Sequence, residues 1–319
     1  MKKFLLRIVC IGIPLLAVLV LFEWSLRRIP NPYVFKDELI ARKAGAIKTL
    51  VIGSSVADYG IFPAYLGDSA YSLAISGEWV KYNEASLMRF IDDMPRLKTI
   101  LWGVCFQMLW KDDDYTGIFI GEGAGELLSK AEQRIYRGIS SGNRNPLYDI
   151  ECIQNFPVSF EKWKKYYLLH QPTVCIDSLG FDYTFALSER KSGWKDWKAA
   201  VSGHSVTDVN DKVCREVYRL NCERMLRVAK ACRERGVRLC LVVPPVHELY
   251  YTHVGDEQLR LMYAAMDEVR RQCDNVVCMD YFRDTRFADD DFYDVNHLSD
   301  VGARKFTRIL AEDLPRRLP

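Results

Sequence analysis

No charge of either sign dominates this sequence: 44 Lys and Arg against 42 Asp and Glu leave a formal net charge of +2. The basic excess that marks a nucleic-acid-binding surface is missing, so no nucleic-acid partner is expected. Internal repeats and low-complexity tracts are also absent, which argues against a repeat architecture or a disordered tail. No two of the ten cysteines stand in C-x-x-C spacing, and no metal site is expected. Neither G-x-G-x-x-G nor a P-loop with its lysine occurs, which leaves a nucleotide-binding reading without its phosphate cradle. No cofactor is expected. What remains, at 49% apolar and 27% charged residues, is the composition of a packed globular protein.

The N-terminus departs from this even balance. From Phe4 to Leu26 the only charges are Arg7 and Glu23, and a run of this length can cross a bilayer. Lys2, Lys3 and Arg7 lie at its start, and Trp24, Arg27 and Arg28 at its end, with Trp24 suited to the membrane interface. The stretch "LFEWSLRR" offers no small-residue cleavage site. Residues 1–28 are therefore expected to be an uncleaved single-pass anchor, with the bulk of the chain outside the cytoplasm. Nine cysteines follow the anchor. Cys105, Cys240 and Cys278 sit in apolar strand patterns, where a thiol acts as a small hydrophobe. An exported domain permits one or two disulfides, which sequence cannot pair.

Beyond the anchor, residues 29–319 read as one α/β domain. Apolar runs at Ile47–Gly53, Ser69–Gly77, Leu97–Phe106, 237–245 and 275–282 have the character of buried strands. Amphipathic periodicity predicts helices over 78–94, Asp211–Arg235 (ended by Gly236), Asp256–Cys273 and Ser299–Asp313. Residues 111–210 break the pattern. They are rich in aromatics, glycine and charge, with some helix expected near Leu127–Arg137, and read as a long insertion after the third strand. The order predicts a three-layer α/β/α sandwich with a mostly parallel sheet.

Two short stretches carry chemistry. "IGSSVADYG", Ile52–Gly60, ends the first strand with two adjacent serines. "FYDVNHLSDVGARKF", Phe292–Phe306, places Asp294 three residues before His297, just ahead of the last helix. That spacing can put both side chains on one side of a turn, where a carboxylate fixes the imidazole tautomer. In a parallel sheet both stretches lie along the carboxyl edge, where open α/β sheets bind ligands. Serine is a weak nucleophile until an adjacent base takes its proton. Asn296 and Ser299 read as local caps. The alternative for Asp294 and His297 is a solvated helix start.

Together these residues resemble the SGNH, or GDSL-like, hydrolase superfamily, whose first block is a glycine-x-serine after the first strand. Gly53-Ser54-Ser55 matches it, and Asp294-Val295-Asn296-His297 matches the family's D-x-x-H. The "NHL…G" form is similar to that of membrane-anchored members in teichoic-acid D-alanylation and polysaccharide O-acetylation. The resemblance implies Ser55 as nucleophile, His297 as base, Asp294 as its orienting acid, and oxyanion donors from the N–H groups of Ser55 and Gly77. It departs at the third block, where "WGVCFQMLW" lacks the family's asparagine; Gln107 is the nearest replacement.

The resemblance further implies an esterase or O-acyltransferase acting on acylated carbohydrate or a small ester. The rival is a catalytically weak envelope protein of the same fold that binds a glycan or a protein partner. Other residues carry weaker signals. His247 follows two prolines and either lines the cleft or is a loop histidine. His170, His204 and His253 show no partner spacing. The triplets Asp112–Asp114 and Asp289–Asp291 read as solvated loops, without the spaced ligands of a calcium hand. Trp163, Trp194 and Trp197 either stack on sugar rings or pack the insertion.

Overall fold

The computed structural model describes residues 2–112, 150–154 and 156–317. The helix expected near 127–137, and Asp113 and Asp114, lie outside them. The chain divides into two compact units: Met1–Val34 with Ile118–Val174, and Phe35–Gly117 with Cys175–Pro319. Residues 111–210 thus contribute to both.

The larger unit is built on five parallel strands: β1 Thr49–Gly53, β2 Ala70–Ser72, β3 Thr99–Gly103, β4 Arg238–Val243 and β5 Val276–Asp280. Their order is β2-β1-β3-β4-β5. The strands read as continuous apolar runs because both faces are covered. Leu50, Ile52, Ile100, Trp102, Leu239 and Leu241 pack with side chains of helices Val80–Phe90, Lys212–Glu234 and Asp256–Gln272. Val51, Leu101, Cys240, Val242 and Met279 pack with Phe306 and Leu310 of the last helix, Asp300–Arg317. This is the α/β/α sandwich expected from sequence.

Local signals set the element ends. The Asp211 carboxylate accepts the Val213 and Cys214 N–H groups and starts Lys212–Glu234. Gly236, at φ +65°, turns the chain away at its end. Ser299 begins the last helix by accepting the Gly302 N–H at 3.2 Å. Asn296, read with it as a cap, has another place, given below. All ten cysteines are free.

In the smaller unit, helix Lys2–Leu26 contains an 18-residue segment, Val9–Leu26, long and apolar enough to cross a membrane by length and composition. Glu23, the one acid in the run, accepts the backbone N–H groups of Glu151 and Cys152 and pairs with Arg27 at 2.8 Å.

Candidate active site

The strand order changes direction between β1 and β3, and the first candidate serine stands at the carboxyl end of β1. Gly53 makes the exit possible: its φ is +141°, and a Cβ there would meet Ala57 Cβ at 2.8 Å and Gly103 O at 2.9 Å. The backbone then turns into the short helix Ser55–Asp58. Ser54 caps it through its carbonyl, which accepts the Ala57 and Asp58 N–H groups at 3.0 Å. The Ser54 hydroxyl is buried, 3.6 Å from Cys105 Sγ. Ser55, by contrast, is only partly buried.

His297 reaches Ser55 from a segment that follows the strand at the far edge of the sheet. β5 is three strands from β1, roughly 14 Å at about 4.8 Å per strand. The chain after β5 crosses that gap. The His247 N–H, from the segment after β4, donates to Val295 O at 2.9 Å. A bridge between Phe292 and Leu298 closes the turn that carries Asp294 and His297.

Ser55 Oγ lies 2.8 Å from His297 Nε2. His297 Nδ1 lies 3.0 Å from both oxygens of Asp294. Asp294 Oδ1 also accepts the backbone N–H groups of Asn296 and His297, at 3.0 and 2.9 Å. Burial pushes the Asp294 carboxyl up, but the His297 charge and these hydrogen bonds outweigh it and hold it below its ordinary value. The tautomer with Nδ1–H toward Asp294 leaves Nε2 to accept the Ser55 hydroxyl. Asn296 also approaches Nε2, its Nδ2 at 3.2 Å. The neighbouring thiol is no competing nucleophile, since burial pushes Cys105 up to about 11.

Gly77 follows β2 with φ +79°, a conformation that suits glycine. Its segment is fastened from two sides. Asn83 Nδ2 donates to Gly53 O and to Glu78 Oε2, while Trp102 Nε1 donates to Asn83 Oδ1. On the other side Asp58, one turn after Ser55, accepts the Ser76 N–H at 2.9 Å and the Lys36 ammonium at 2.6 Å. Lys36 also donates to Ala74 O. Lys36 and Asp58 are essentially fully buried. Burial pushes the Asp58 carboxyl up to about 7, against the pull of the Lys36 charge.

Gln107 is buried in the 3-10 turn Phe106–Trp110. It lines a narrow cavity with Val56, Cys105, Tyr250 and Asn296, and its Oε1 has no hydrogen-bond partner among the described residues. The insertion also reaches His297. Phe185 stacks between Tyr59 and Tyr293, at 4.0 and 4.2 Å, and meets His297 edge-on at 5.0 Å.

The remaining sequence candidates have local duties. His247 caps the short helix Glu248–Tyr251 and contacts Asp289 at 3.1 Å. Asp289, Asp290 and Asp291 pair with Lys195, Arg190 and Lys305, and Asp112 is buried against Arg224. Trp194 meets His247 edge-on, Trp197 stacks on His253, and Trp163 packs with Phe22. Sequence reasoning missed Lys36, Asp58, Glu78 and Asn83, whose partners are set by the fold.

It also missed His204, whose Nδ1 is 2.6 Å from Tyr250 Oη. Although His204 keeps part of its surface in solvent, burial of the ring, followed by the charges of His297 and Lys111, pushes it down to about 4. The folded state then binds fewer protons than the unfolded one between pH 4 and His204's ordinary value of 6.5. This contribution to stability is complete above that window and is lost as pH falls through it. The Tm of wild type is expected to drop further between pH 7 and pH 4.5 than that of His204→Gln. Equal drops would contradict the assignment.

No protein-family model and no curated protein matches this chain. Among solved structures, a protein from Streptococcus pneumonia, provisionally described as a platelet activating factor, is similar at 12% identity and a TM-score of 0.44. The match covers 94% of this chain and 98% of that one; a likeness this distant carries no argument about the site.

Proposed function

We propose that this protein is an SGNH-type serine esterase or O-acyltransferase, held to a membrane by Lys2–Leu26, with its active site outside the cytoplasm. One observation carries the enzymatic reading: Ser55 Oγ, His297 Nε2 and Asp294 form a continuous hydrogen-bonded line. As Ser55 Oγ attacks an ester carbonyl, His297 takes its proton, and the resulting imidazolium is stabilised by Asp294. The Ser55 and Gly77 N–H groups are assigned to the tetrahedral oxyanion, with the Gln107 side-chain amide as the candidate third donor. His297 then gives the proton to the departing alcohol, leaving an acyl group on Ser55. Water or a sugar hydroxyl, deprotonated by His297, attacks the acyl carbonyl, and His297 returns the proton to Ser55 Oγ as the acyl–Ser55 bond breaks. The resemblance of the two end motifs favours acylated envelope carbohydrate as substrate.

The test is hydrolysis of p-nitrophenyl acetate by the purified chain, repeated with an added sugar acceptor. Release of nitrophenol, with or without acyl transfer to the sugar, supports the reading. A folded protein with no turnover favours the binding-only alternative, whose support is the missing asparagine at the third-strand exit.

In this reading the Lys36–Asp58 pair positions the oxyanion loop, because Asp58 joins the Ser55 helix to the Ser76 N–H. Removing only Asp58 strands a buried ammonium and is expected to cost about 3–5 kcal/mol of stability. Replacing both, as Lys36→Met with Asp58→Leu, removes the charges together and is expected to fold. Without the tether the Gly77 N–H loses its placement, and kcat is expected to fall by about 10²-fold with little change in KM. A folded double variant with wild-type kcat would exclude this positioning role.

A further inference from the structure

The smaller unit presents an aromatic stripe that the proposed chemistry does not use. In helix Phe156–Tyr167, Phe156, Phe160, Trp163 and Tyr167 recur at helical spacing on one side. Consecutive rings in this series are 6.0, 6.2 and 5.5 Å apart. One flank of the stripe rests on the membrane-length helix: Phe22 lies 5.6 Å from Phe156 and 6.2 Å from Trp163, and Tyr167 Oη donates to Ser25 O at 3.0 Å. The other flank is open among the described residues. Phe156 is 51% exposed and Phe160 42%, and Leu168 and Leu169 continue the apolar surface at 59% and 52%. An apolar face this open is costly in water.

Its place along the anchor identifies the occupant. Phe22 is four residues inside the end of the segment Val9–Leu26, about 6 Å along the helix axis. Side chains touching Phe22 therefore lie at the depth that interfacial helices occupy, about 5–10 Å into the headgroup and acyl boundary. The surrounding chemistry agrees. Lys164, Lys165, Arg27 and Arg28 supply basic side chains, with Arg28 over the exposed Trp24 ring at 4.0 Å. Trp, Tyr and basic residues together mark a membrane–water interface.

We infer that helix Phe156–Tyr167 lies in the bilayer interface beside the anchor, with lipid covering its open aromatic flank. The inference rests on Lys2–Leu26 being a membrane anchor. The test uses the full chain reconstituted in phosphatidylcholine and phosphatidylglycerol vesicles whose acyl chains carry bromine at carbons 6 and 7. Tryptophan emission is compared among wild type, Trp24→Phe and Trp163→Phe. Both variants are expected to lose bromine-quenched emission. If Trp24 carries quenched emission and Trp163 none, the interfacial placement is wrong and the anchor stands. If neither does, both readings fall.

Discussion

Replacing Ser55 with alanine is expected to lower the esterase turnover by on the order of 10⁶-fold, the scale seen when a triad nucleophile is lost. The fold should survive, because Ser55 holds the helix Ser55–Asp58 through its backbone while its hydroxyl contacts His297. The comparison with Ser54→Ala is informative. Ser54 is buried with its hydroxyl against Cys105, so its loss should leave turnover within a few-fold of wild type. Steady-state hydrolysis of p-nitrophenyl acetate, with a thermal melt for each variant, reads both effects. Equal losses for the two serines would mean that the turn, rather than the Ser55 hydroxyl, is being tested.

Asp294→Asn should lower turnover by about 10⁴-fold with little loss of stability. An asparagine oxygen can still accept the Asn296 and His297 N–H groups that Asp294 now accepts, so the turn persists. Its amide N–H, however, would face Nδ1 and favour the tautomer with a proton on Nε2. That nitrogen could then no longer accept the Ser55 proton. The native carboxyl titrates below its ordinary value. Its contribution to stability is present above that ordinary value and is lost as pH falls through the lower one. The acid limb of the melting profile should therefore be shallower in Asp294→Asn. A large drop in Tm at neutral pH would show a structural role instead.

The strands were legible because burial on both faces turns them into unbroken apolar runs, as in "TLVIG" and "RLCLVV". The long helix 212–234 was legible at both ends, through Asp211 and Gly236. The two site motifs could be found because their local contacts are written in sequence, most clearly the three-residue spacing of Asp294 and His297. Their meeting was inferred from a shared sheet edge. The path that achieves it, over the ends of the intervening strands, has no sequence signal.

The supporting residues were invisible for the same reason. Lys36 and Asp58 are 22 residues apart, and His204 and Tyr250 are 46 apart. In each pair one partner looks like an ordinary helix or loop residue until the fold buries it. Residues 111–210 read as a single insertion because composition shifts at their ends but not within them. Within them, Phe156 and Trp163 pack with Phe22, whereas Phe185 packs with His297.

The central claim is that His297 activates Ser55, and peptide mass spectrometry after treatment with a fluorophosphonate tests it most directly. The account predicts one phosphonyl adduct on the peptide containing Ser55 in wild type, and none in either His297→Ala or Ser55→Ala. A folded wild-type protein that takes up no adduct, or an adduct that persists in Ser55→Ala, would contradict it.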